Sequence, residues 1–146
     1  MAGYYYPADA ATLRRTLMAL MDTPANPQPA CAVVLPHGSL VQCGAIIGST
    51  LSQVAVPRRA VLLGPSHVGS AMGWGLLTSG AYRTPLGDVP IDAMCADALR
   101  ARCPFLESDA WVQRGEHAIE VLLPFLQVLG PRDLSVVPII LGSAEP

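Results

Sequence analysis

Two periods alternate along the chain. From Asp9 to Met21 the apolar positions recur at helical spacing, with Leu13, Leu17, Leu20 and Met21 on one face and Arg14 and Arg15 facing away. Asp9 suits the N-cap. Three prolines between Thr23 and Pro29 end that helix. Ala30 to Leu35 is a continuous, valine-rich apolar run, which predicts a strand buried on both faces. Helical spacing returns from Gln42 to Gln53, through Ile46, Ile47 and Leu51, and Gly48 is expected to allow close packing on the sheet. Val56 to Arg59 is a return turn, and Ala60 to Leu63 a second strand.

The later chain is punctuated by Gly and Pro. Trp74 to Thr78 reads as a third strand. Tyr82 to Pro90 reads as a loop, because two prolines oppose regular structure. Asp92 to Arg102 is helical and Cys103-Pro104 stops it. Glu116 to Leu129 is helical by pattern, with Pro124 expected to kink or restart it. Leu134 to Leu141 is the last strand. The order α-β-α-β-β-α-α-β predicts one α/β domain over residues 1–146, a mostly parallel sheet flanked by helices. Its first βαβ unit would bring the histidines after Leu35 and Leu63 to one carboxyl edge, where ligands bind in open α/β sheets. A strand so close to Pro146 would normally be followed by a covering helix. The domain is therefore expected to be incomplete at its carboxyl end.

Composition narrows the function classes. Of 146 residues, 51% are hydrophobic and 14% charged, which excludes a disordered chain. The formal charge of −2 gives no bulk attraction to nucleic acid or anionic membrane. All nine basic residues are Arg, so Schiff-base and P-loop lysine chemistry is absent. Four cysteines without CxxC spacing, and no recognisable leader or long apolar span, point to reduced thiols and a cytoplasmic location.

Three histidines carry the candidate chemistry. His37 follows Pro36, and His67 follows Gly64-Pro65-Ser66. Two imidazoles from neighbouring strand ends can reach one ion, but a site needs more. His117, Cys43, Asp88, Asp92 and Glu116 are candidates for a third ligand, and spacing selects none of them. Ser66-His67 as a nucleophile pair is disfavoured, since adjacent residues rarely reach proton-transfer geometry and no GxSxG elbow is present. Gly38-Ser39 before a helix is a weak anion-binding signal.

In order along the chain stand Gly3-Tyr4-Tyr5-Tyr6-Pro7, Pro36-His37-Gly38, Leu63-Gly64-Pro65-Ser66-His67, Tyr82-Arg83-Thr84-Pro85-Leu86-Gly87-Asp88-Val89-Pro90-Ile91-Asp92 and Glu116-His117-Ala118-Ile119-Glu120-Val121-Leu122-Leu123-Pro124-Phe125-Leu126. This set resembles the amino-terminal half of the Memo family, called AmmeMemoRadiSam system protein B in prokaryotes. The resemblance implies an α/β fold like that of class III extradiol (LigB-type) dioxygenases. It implies a metal pocket using His37 and His67, with iron or copper, and zinc as a further candidate. The remaining family ligands, a histidine and a cysteine, belong to a carboxyl-terminal half not represented here. The sequence departs from the family at Gly38-Ser39-Leu40, where the family has Ala-Gly-Tyr, and at Val68, where it has a second histidine.

Three functions of different class follow. The first is an iron(II)-dependent, dioxygenase-like oxidoreductase. In it His37 and His67 are metal ligands, His117 a catalytic base or hydrogen-bond donor, and Ser39, Ser66, Asp88 and Glu116 line the substrate pocket. The second is a non-catalytic module that binds a peptide or protein. The third is an inactive fragment that needs its missing half or self-associates.

Overall fold

A computed structural model of the chain describes residues 1–23, 26–67, 73–108 and 115–142. Asp9 does cap the first helix, its Oδ2 accepting from the Thr12 N–H at 2.7 Å. Helix α1 spans Ala10–Leu20 and buries Leu13 and Leu17. Helix α2 spans Leu40–Ser52, and Ser39 is its N-cap. Gln42 Oε1 reaches back to the Ser39 N–H at 3.3 Å and the Ser39 hydroxyl at 3.0 Å.

The main sheet has four strands in the order β1-β6-β2-β5, with β1 Arg59–Pro65, β2 Trp74–Leu76, β5 Leu106–Ser108 and β6 Ser135–Leu141. β1 runs parallel to β6, and β2 parallel to β5, but β2 and β6 are antiparallel. The sheet is therefore mixed, not mostly parallel. β6 lies inside it and buries Val136, Val137, Ile139 and Ile140. Its proline is tolerated for a simple reason. The β2–β6 register ends at Leu76 opposite Ile139, one residue short of Pro138, which has no N–H to give.

Two further expectations are corrected. Tyr82 to Pro90 is no loop: β3 (Ala81–Thr84) and β4 (Gly87–Pro90) form an antiparallel hairpin. Pro85 falls in the turn and Pro90 at the strand end, so neither interrupts the ladder. Gly87 takes φ +121°, a conformation that side chains oppose. The larger correction is Ala30 to Leu35, which forms no strand. Among the described residues, no backbone hydrogen bond ties this run to a neighbour; the nearest tie is the bridge between Gln28 and Val54. Prolines 27, 29 and 36 flank it, and its valines face water, with Val34 97% exposed. The outer edge of β1 stays uncovered too, with Val61 and Leu63 exposed. The expected βαβ unit is thus reduced to its helix and second strand.

The main core lies between the helices and the sheet, with Leu13, Leu17, Ile47, Leu51, Ile119, Leu123, Phe125, Val136 and Ile140 in one cluster. Helix α3 (Ala93–Arg102) covers a second cluster with Ala96 against Leu76, Leu106, Val137 and Ile139. Asp92 caps α3 through the Cys95 N–H at 2.9 Å and pairs with Arg59. The helix expected from Glu116 starts late, as a 3₁₀ turn at Glu120–Leu122 followed by α4 (Leu123–Leu129), with Pro124 in its first turn. Among the described residues, no helix is long and apolar enough to cross a membrane.

Gly48 sets the closest helix approach, against α1 rather than the sheet. A Cβ there would lie 2.2 Å from the Leu20 carbonyl oxygen, whereas at Gly44 it would meet the flexible Leu20 side chain at 2.7 Å. Gly48→Ala is expected to destabilise the fold by about 1–3 kcal/mol, the usual cost of overpacking. Gly44→Ala should cost less. Urea midpoints of the two variants, compared with the parent, check this.

Candidate metal centre

His37 lies two residues before the N-cap of α2, and His67 two residues after the end of β1. The missing first strand does not separate them. His37 Nε2 and His67 Nε2 stand 3.3 Å apart. His117, from the turn before the 3₁₀ segment, joins them. Ring centroids are 4.3 Å apart for His67 and His117 and 5.9 Å for His37 and His117. One ring nitrogen from each of the three can be chosen so that all lie within 4.8 Å of one another.

Glu116 organises this cluster. It is buried, at 3% exposure. Its Oε2 accepts from the His67 backbone N–H at 2.6 Å. Its Oε1 accepts from the His117 N–H at 2.7 Å and the Ala118 N–H at 2.8 Å, and lies 2.9 Å from His67 Nδ1. These bonds also explain the late helix. The side chain takes the N–H groups of His117 and Ala118 into a tight turn, so helical bonding begins with the Val121 N–H to the His117 carbonyl. Burial alone would raise the Glu116 pKa. The hydrogen bonds from the His67 and Ala118 backbone and the His67 ring outweigh it, and hold the carboxyl below its ordinary value.

The amino-terminal arm closes one side. Tyr5 stacks on His117 with centroids 4.4 Å apart and planes at 24°. The Tyr5 carbonyl accepts from the Leu40 N–H. Tyr6 donates its hydroxyl to Glu120 at 2.5 Å, and the Met1 ammonium sits 3.1 Å from the same carboxylate. Burial and the Glu120 bond push the Tyr6 phenol well above its usual range. Burial lowers the His117 pKa, and the charges of His67 and His37 lower it further, against the pull of Glu116. His117 is thus held neutral, the form that can ligate a metal.

Of the expected site residues, the structure brings together His37, His67, His117 and Glu116. Ser66 adjoins them, and its Oγ is buried without a hydrogen-bond partner among the described residues. Ser39 serves the cap of α2. Asp88 stays on the hairpin, opposite Arg83 in the ladder and paired with it at 2.9 Å. Asp92 is occupied by Arg59 and the α3 cap, and Cys43 is not part of the histidine group. Val68 lies outside the described residues. Tyr5 was missed as a neighbour of the centre, since nothing in its local pattern marks a long-range stack.

The geometry fits a metal. Two nitrogens about 2.0–2.1 Å from one tetrahedral ion lie about 3.3 Å apart. That is the His37–His67 separation. Comparison with known proteins agrees with the sequence motifs. The Memo-like protein family matches residues 1–146. The chain belongs to the Memo-like family. A MEMO1 family protein of Methanopyrus kandleri is 34% identical over 99% of this chain and 56% of its own length. The memo-1 homolog of Caenorhabditis elegans is 36% identical over 97% of this chain and 42% of its own length. A MEMO1 family protein of Aquifex aeolicus is 29% identical over 99% of this chain. The chain spans about half the length of these relatives.

The pH dependence of stability follows from His117. Its pKa in the fold lies below the ordinary 6.5, so the unfolded chain takes up its proton first as pH falls. Stability is expected to be complete above about pH 6.5 and to decline as pH drops below it. Glu116 adds a further loss below its ordinary 4.5. Urea midpoints between pH 8 and 5.5 should fall in the parent, and fall less steeply in His117→Gln.

Proposed function

We propose that the chain is the metal-binding portion of a Memo-like protein, with His37, His67 and His117 as ligands. The observation that carries this is the convergence of three imidazoles from separate segments, with the 3.3 Å Nε2 pair at the spacing one ion requires. Three neutral nitrogens suit zinc, copper or iron. Iron(II) is our assignment, on the resemblance to class III extradiol dioxygenases. An iron(II) ion with open positions would supply activation of dioxygen toward a catecholate-type substrate.

The chain's own contribution is positional. Glu116 holds His67, and its negative charge, one hydrogen bond away, offsets the charge of a bound cation. Tyr5 shields the face of His117. His117 fits the role of ligand better than that of general base, because it sits within the histidine cluster. The remaining ligands are assigned to the further sequence that Memo-like relatives carry, so this chain alone should hold metal with open positions and modest affinity.

The test is titration of protein prepared without chelator or histidine tag, with Fe²⁺ (anaerobic), Zn²⁺ and Cu²⁺, followed by calorimetry and metal analysis. One equivalent is expected to bind. His37→Ala, His67→Ala and His117→Ala should each weaken binding by more than the 10–100-fold typical of losing an outer-shell partner. Unchanged affinity in the His37→Ala, His67→Ala double variant would overturn the proposal. Loss in those two with none in His117→Ala would return His117 to a catalytic role.

A further inference from the structure

We infer that Glu116 is not a substrate-pocket residue but the positioning residue of the centre, fixing the tautomer and orientation of His67. This deepens the metal reading above, yet its key measurement needs no metal. The carboxylate is nearly removed from solvent and faces four N–H groups. An ionised carboxylate only accepts hydrogen bonds. The 2.9 Å contact with His67 Nδ1 therefore requires the proton to sit on Nδ1. In the neutral ring that leaves Nε2 with its lone pair, and Nε2 is the atom facing His37. The 3.3 Å contact then requires His37 Nε2 to carry a proton when no cation lies between them. The same carboxylate binds both backbone segments, His67 on one side and His117-Ala118 on the other, across 49 residues. One group thus sets the ring's tautomer, its orientation and the separation of two ligand-bearing segments.

Glutamine cannot replace it. An amide nitrogen at the Oε2 position would face the His67 N–H; at the Oε1 position it would face His67 Nδ1 and the His117 and Ala118 N–H groups. Either way a donor opposes a donor.

The experiment is long-range ¹H–¹⁵N correlation of histidine-labelled, metal-free protein at pH 8, where free imidazoles are neutral. The expected result is His67 as the Nδ1–H tautomer and His37 as the Nε2–H tautomer. In Glu116→Gln the His67 signal should shift toward the Nε2–H form, and zinc affinity should fall about 10–100-fold. Gly48→Ala, destabilised far from the site, should keep the parent tautomers and serves as the control for general loss of stability. An Nε2–H tautomer of His67 in the parent overturns the inference, as does a folded Glu116→Gln that keeps both tautomer and affinity. If Glu116→Gln does not fold, the parent spectrum alone decides. The expected tautomers without any metal binding would instead sink the metal reading and leave the positioning role standing.

Discussion

A single buried carboxylate holds the functional end of this molecule together. Glu116 meets four N–H donors from two segments that share no strand pairing with each other at that point. Each buried N–H left without a partner would cost about 1–3 kcal/mol. The turn at Glu116, the position of His67 and the start of the following helix all depend on those bonds. The core supports this from behind. Ala118 and Ile119 pack where a Cβ on Gly64 would meet them at 3.1 and 3.2 Å, so the strand that delivers His67 lies close against the turn that carries His117.

Much of this was legible in the chain. Period alone placed the helices at Leu13–Leu17 and Ile47–Leu51, and Asp9 marked its helix start because its side chain bonds locally. The two histidines after Pro36 and Ser66 were flagged as neighbours, and they are. The reason given for it was partly wrong. Cys31 to Leu35 has the composition of a buried strand, but a strand also needs an edge to pair with, and composition carries no information about that. The hairpin at Tyr82–Val89 was hidden for the opposite reason. Its prolines read as breakers, though both fall where no ladder N–H is needed.

The metal centre was half legible. Spacing offered five candidates for a third ligand and could not choose, because that choice depends on contacts across 50 or more residues. Local reading also treated Glu116 as an opening helical residue. Its real partner, His67, is 49 residues away. Asp88 and Asp92 looked like equal candidates, but Arg83 and Arg59 engage them elsewhere in the fold.

The segment before His37 has a consequence for local unfolding. His67 and His117 are gripped by a sheet strand, a core-packed turn and a buried carboxylate. Residues 30–36 are attached chiefly at their ends, by the Gln28–Val54 bridge behind and by helix α2 ahead. Opening that segment breaks no ladder and exposes little apolar surface, since its valines are already in water. Its opening free energy therefore lies at the low end of the molecule's range. The centre has one adjustable wall and two fixed ones, and amide exchange at Val33 and Val34 would run far ahead of exchange at Val136 and Val137.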